Sequence, residues 1–267
     1  MLKDLFSFFT EIFKNRKLLI QFSYNDFKSR YAGSMFGIIW AFINPLVMVF
    51  TYWFVFGFGL KAVPTEGIPF IVYLVTGIVP WFFFSDVLSS GTGVFREYSY
   101  LVKKVVFNIK ILPTAKLISN LYTHLFFLAV TFILTFIYGI FPTAQTIQII
   151  YYLICMSAFL TGLTWITASI QPFFSDISQF IAVIMQALMW SVPILWSPQN
   201  FPVWVIKILK FNPMYYVING YREAFLGQGW FWQHWAQTVY FWIITFILLL
   251  VGSVVFKRLR PHFSDVL

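Results

Sequence analysis

The sequence predicts an all-α integral membrane protein, and three observations carry that prediction. The chain is 60% apolar and 22% aromatic, with only 10% charged residues over 267 positions, which is more apolar surface than one water-soluble core can hide. Several of its charge-free runs exceed the about 20 residues that a spanning helix needs. Those runs are apolar on every side, whereas the strands of a membrane barrel alternate polar and apolar residues.

Taken in order, apolar windows near 35–59, 70–92, 117–139, 147–171, 177–196 and 236–256 predict six spans. Ahead of them, Leu2, Leu5, Phe6, Phe9, Ile12 and Phe13 recur at helical spacing with Lys3, Asp4, Glu11 and Lys14 between them. That pattern predicts an amphipathic helix lying in the interface within residues 1–30. The N-terminus has no uninterrupted apolar run ending in a small-residue cleavage site, so no removed signal peptide is expected. An even number of spans puts both termini on one side. Of the 18 Lys and Arg, 14 share that side, and Lys61, Lys207, Lys210 and Arg222 face the other. Positive charge collects on cytoplasmic loops, so the termini are expected in the cytoplasm, with 257–267 as a tail. The excess of 18 basic over 9 acidic residues then reflects topology, and no nucleic-acid partner is expected.

Three interruptions stand out. Asn44–Pro45 should kink the first span, because Pro removes a helical hydrogen bond. Asp176 in FFSDISQF is followed three residues on by Gln179, the spacing of a capping box for the fifth span. Residues 197–235 are too polar and Pro-rich to span, yet 214–226 is amphiphilic and WFWQHW reads as an aromatic belt. Short re-entrant or interfacial helices on the outer side are expected there.

Chemistry is sparse. The sequence has no GxxxxGK[ST] phosphate loop, no GxGxxG, no HExxH and no Cys/His cluster, and His124, His234 and His262 are scattered. No catalytic residue and no metal site is expected, and the lone Cys155 in an apolar run excludes an internal disulfide. What remains is polar patterning. Gly37, Asn44 and Thr51 are seven residues apart, as are Gln179, Gln186 and Pro193, so each set makes one stripe along a helix. Such stripes face a helix neighbour or a wet cavity. Trp40, Tyr52 and Trp53 are candidate stacking surfaces beside the first stripe, and Val47 is expected on the opposite, lipid-facing side. Asp86 within the second span and the Arg222–Glu223 pair are further candidates, since ionisable groups at membrane depth are functional by default. The insert REYSYLVKKVVFNIKILP at 96–113 is either a docking surface or an ordinary cationic loop.

The stretches DFKSRYAGSMFGIIWAFINPL, YLVKKVVFNIKILP and NPMYYVINGYREAFL resemble the membrane subunits of ABC-2 type exporters for cell-surface polysaccharides. Within that group, TYWFVFGFGLK and GIPFIVYLVTGIVPWFFF look most like wall teichoic acid permeases. The resemblance implies one transmembrane domain over 1–267, a homodimer, and two copies of a separate cytoplasmic ATPase that binds ATP and Mg, with no cofactor in this chain. It implies export of a lipid-linked polymer across the cytoplasmic membrane of a bacterium: wall teichoic acid first, O-antigen or capsular polysaccharide as the alternative. A membrane-embedded enzyme or a scaffold of lipid-linked glycan assembly is the alternative of another class.

It also assigns roles. The 96–105 segment becomes the coupling helix, with Tyr98, Leu101, Val102 and Val105 as its apolar face and Arg96, Glu97, Lys103 and Lys104 as its rim. For Asp176, capping of the fifth span comes first and a second contact to the ATPase is the alternative. The first and fifth spans border the path, through Gly37, Trp40, Asn44, Thr51, Tyr52, Trp53, Gln179 and Gln186. Arg222 and Glu223 are expected to form a mutual or intersubunit salt bridge at an outer gate.

Overall fold

A computed structural model of the chain describes residues 10–12, 14–62, 67–104 and 108–267. Val105, and all of the amphipathic stretch before residue 14 except Thr10, Glu11 and Ile12, lie outside the described residues. The described elements are helical, and the protein is a multi-pass membrane protein with, among the described residues, five segments long and apolar enough to cross a bilayer.

Helix α1, Arg16–Ser29, buries Leu19, Ser23, Asp26 and Phe27, one face at helical spacing. The chain then turns through Gly33 (φ 92°) and Gly37 (φ 54°), left-handed positions that glycine adopts without strain. Helix α2, Trp40–Tyr52, continues as a π-helical stretch, Trp53–Gly59. Helix α3, Phe70–Thr92, is the hub, with 17 of its 23 residues buried, and it packs against the three helices that follow next in the bundle and against α8 below.

Those three are α4 (Ile111–Ile137), α5 (Gln148–Ile170) and α6 (Ile177–Trp190). Helix α4 begins six residues before the expected span, because Pro113 is tolerated in a first turn where backbone N–H groups have no helical partner. That earlier start brings Lys116 inside the helix. Helix α6 stops at Trp190 rather than near 196. At 14 residues it is roughly 21 Å long against the ~30 Å of a hydrocarbon core. Residues 192–195 are still buried, so the backbone runs on inside protein, the one setting in which non-helical backbone is tolerated at membrane depth. Asp176 sits at the start of α6 but does not cap it. Its own backbone is helical (φ −69°, ψ −14°) and its side chain makes no capping bond, so the capping box is absent.

Short helices fill the segment before the last span, as the Pro-rich sequence requires. Helix α7 is Val203–Leu209 and α8 is Pro213–Leu226. The bounds of α8 are written in its sequence. Asn212 accepts from Met214 N at 3.0 Å, Pro213 occupies the first turn, and Gly227 (φ 67°) closes it in the left-handed region. Helix α9, Trp235–Leu259, lies along α5. Their backbones touch at Gly162 and Gly252, where an added Cβ would lie 2.8 Å from Leu249 N and 2.7 Å from Gly162 O respectively.

The turns Val94–Glu97 and Ser99–Val102, the foot of α9 and a closing turn Phe263–Val266 gather at one end, around Phe95, Phe256 and Phe263. We call this end the terminal face and the opposite end the far face.

Candidate translocation and coupling sites

The two polar stripes lie on open surface. Asn44 and Thr51 on α2, and Gln179 and Gln186 on α6, are exposed, and Gly37 is half-buried. Only Ala41 and Val49 of α2 are buried, Ala41 on the flank of the stripe and Val49 on the side away from it. Packing within one chain is therefore not what the stripes do. Pro193, expected to extend the second stripe, lies beyond the end of α6 in buried backbone. Val47 is not opposite the stripe either. It lies about 40° from Thr51 at 100° per residue, and Thr51 Oγ1 donates to its carbonyl at 2.8 Å. Among the expected aromatics, Trp40 is exposed beside the stripe. Tyr52 and Trp53 turn inward, with Tyr52 Oη donating to Met189 Sδ of α6 at 3.8 Å and Trp53 packing on the core.

At the terminal face the segment expected to couple is tied into the bundle by charge. Lys116 Nζ, on α4, donates to Asp26 Oδ1 of α1 at 2.5 Å and to Glu97 Oε1 at 2.8 Å. Tyr98 Oη donates to the same Asp26 oxygen at 2.6 Å. Arg30 spans Asp26 Oδ2 (3.0 Å), Asn120 Oδ1 (2.7 Å) and Ser119 Oγ (3.1 Å). Burial alone pushes the Asp26 carboxyl up. The charge of Lys116 and the bonds from Lys116, Ser119 and Tyr98 more than offset this, and the net shift is downward. Burial and then Asp26 push the Tyr98 phenol up, which keeps it a donor.

This geometry revises the expected docking face. Tyr98 faces the chain's own interior, and Leu101 and Val102 are half-buried against the terminal cluster. Exposed there are Arg96, Glu97, Tyr100, Lys103 and Lys104. Tyr100 was not singled out from the sequence, and neither were Asp26, Arg30, Lys116, Ser119 or Asn120. The signal was present, since AKLISN places a cation and two polar side chains in an otherwise apolar helix. Asp176 is exposed beside Ser175, whose Oγ donates to it at 3.4 Å. Asp86 lies near the terminal end of α3, around a small cavity shared with Pro45, Asn120 and His124. His124 is a core residue whose Nε2 lies 3.1 Å from Tyr221 Oη.

On the far face, Arg222 and Glu223 do not pair with each other. Consecutive residues of a helix point apart, and each has its own partner. Arg222 stacks on Tyr73 at 3.6 Å and donates to Pro193 O at 2.6 Å, to Tyr73 O at 3.3 Å and to Asn219 Oδ1 at 3.3 Å. It thereby clamps the backbone after α6 to α3 and α8. Gly77 is what admits it, for a Cβ there would lie 2.6 Å from Arg222 Nη2. Glu223 accepts from His234 Nε2 at 3.0 and 3.1 Å.

A helical multi-pass bundle with a polar face open to the outside of the chain and a charged surface at one end is the arrangement expected of a membrane permease. The chain belongs to the ABC-2 type transporter family, which matches residues 18–226. It is 28% identical over 252 residues to an O-antigen export system permease protein, RfbA, of Klebsiella pneumoniae, covering 94% of this chain and 95% of that one. The RfbA of Myxococcus xanthus is 26% identical over 267 residues, covering 96% and 97%. The polysialic acid transport protein KpsM of Escherichia coli is 20% identical over 242 residues, covering 87% and 89%. The expected family of polysaccharide-export permeases is borne out, and these relatives are named for O-antigen and polysialic acid rather than for teichoic acid.

Proposed function

We propose that this chain is the permease subunit of an ATP-driven exporter that carries a lipid-linked surface polysaccharide, of O-antigen or capsular type, across the cytoplasmic membrane. The observation that carries this reading is the uncovered polar face of α2 and α6. Polar side chains turned to lipid are costly, so Asn44, Thr51, Gln179 and Gln186 need a second copy of the chain across a wet path. The relatives' names favour O-antigen or capsule over the wall teichoic acid that the sequence pattern put first. Both cargoes present hydroxyls to the same polar lining.

In this reading the terminal face is cytoplasmic and a separate ATPase docks on Arg96, Tyr100, Lys103 and Lys104, since this sequence has no phosphate loop of its own. Movement of the docked segment passes through Glu97 and Tyr98 to Lys116 and Asp26, then along α1 into α2. Helix α2 has little lateral packing and follows its ends. Cells lacking the chain are expected to retain polymer inside, with surface display restored only by this chain together with a hydrolysis-competent ATPase. Undiminished surface polymer in its absence would overturn the proposal, and the composition of the retained polymer decides between cargoes.

A further inference from the structure

The far face holds a cavity of about 240 Å³ between α7, α8 and the head of α9, floored by Tyr152 of α5. It is smaller than the ~300–1,000 Å³ of sites for drug-sized ligands and suits a single ring. We propose that it is a subsite for one sugar ring of the exported chain, held as the polymer leaves; the assignment rests on the export reading above.

The lining supplies the two things a sugar ring needs. The first is an aromatic floor. The phenol end of Tyr152 lies against the bare Cα of Gly220, where a Cβ would meet Tyr152 Cζ at 2.0 Å, and Tyr215 and Tyr216 continue the aromatic wall. Sugar rings present apolar C–H faces that pack on such surfaces.

The second is a placed acceptor beside a placed donor. The Glu223 carboxylate receives only His234 Nε2 among the described residues, at 3.0 and 3.1 Å, which leaves lone pairs on both oxygens. Gln237 also lines this cavity, and its Nε2 is buried without a hydrogen-bond partner among the described residues, a group that is costly to leave unsatisfied. Neighbouring hydroxyls each donate and accept, so a diol can bridge the Glu223 carboxylate and a Gln237 amide that turns toward it. Lys210 is the one lysine or arginine in the lining, which also carries the Glu223 carboxylate, so a single cation beside an anion does not make a phosphate site.

The test uses the purified full-length chain in nanodiscs and saturation-transfer NMR with methyl glycosides of glucose, galactose, mannose, rhamnose and N-acetylglucosamine. Inorganic phosphate and glycerol phosphate serve as competitors. At least one glycoside is expected to bind saturably without competition from either anion. Glu223→Gln and Gln237→Leu are each expected to weaken it about tenfold, with unchanged size-exclusion profiles. If Glu223→Gln fails to fold, Gln237→Leu decides alone. No saturable glycoside, binding unchanged in the folded variants, or displacement by the anions (the signature of a lipid headgroup site) would each overturn the subsite. Surface polymer is scored separately in cells. Export that depends on the chain without glycoside binding removes the subsite alone, whereas loss of the export result removes the functional reading.

Discussion

Helices α3 and α2 are built into segments of the same mean hydropathy, 1.8, yet 78% of the most apolar window around α3 is buried inside the chain against 11% for the segment around α2. Helix α3 is held along its whole length by its neighbours. Helix α2 is held at its ends. Its start is fixed through α1, whose Asp26 and Arg30 are bonded to α4, and its far end through Trp53 and Phe56 packed near Phe70. Hydropathy makes a helix enter the bilayer and says nothing about which side will be covered by its own chain. The position of a few polar groups around the helix carries that information.

Three experiments break or sharpen this contrast. The largest effect is expected at the anchor of α2 rather than along it. Lys116→Met removes the buried cation beside Asp26 and leaves the half-exposed Arg30 as its remaining ion pair, so the cost is expected at about 3 kcal/mol, the low end for a broken buried pair. Thermal unfolding should fall accordingly, α1 should become sensitive to protease, and adding Asp26→Asn should recover most of the loss. A single variant as stable as the parent would show that the ionic tie does not hold α1. Because the Asp26 carboxyl is shifted down in the folded chain, its contribution is present above the ordinary carboxylate pKa of about 3.9. It disappears only as acid carries the pH below that value.

A smaller effect is expected within the packed helix. A Cβ at Gly91 of α3 would lie 2.8 Å from Thr164 Cγ2 of α5, so Gly91→Val should cost about 1–3 kcal/mol by overpacking. Wild-type stability in that variant would mean that the interface between α3 and α5 is looser than its geometry indicates.

Much of the architecture was legible in the sequence. Long apolar runs located the spans, and the amphiphilic pattern of 214–226 located α8. The break in α6 was less visible, because residues 192–195 are apolar and buried like a span while their backbone is not helical. The site was legible in part. Heptad spacing put Asn44 with Thr51 and Gln179 with Gln186 on one side of their helices, as helix geometry requires whatever surrounds it, and all four are exposed. Adjacency in sequence misled at Arg222 and Glu223, since neighbouring helical residues diverge. Lys116 was counted as a loop charge because its span was expected to begin at 117 whereas the helix begins at Ile111, and its partner Asp26 is 90 residues away. Pairings at that separation are decided by tertiary packing, which local pattern does not contain.

The smallest effect on stability, and the most direct test of the central claim, comes from single cysteines introduced at Asn44, Thr51 and Gln186 after the buried Cys155 has been replaced. Thiolate forms readily only where water reaches. In the assembled transporter these three should react with a small water-soluble thiol reagent, with rates that change when nucleotide drives the ATPase. Cysteines at Val49, buried against the bundle, and at Ile243, exposed on the apolar flank of α9, should stay inert. Labelling at the three stripe positions as slow as at Ile243 in every nucleotide state would contradict the account, for the polar face of α2 would then be turned to lipid rather than to a wet path.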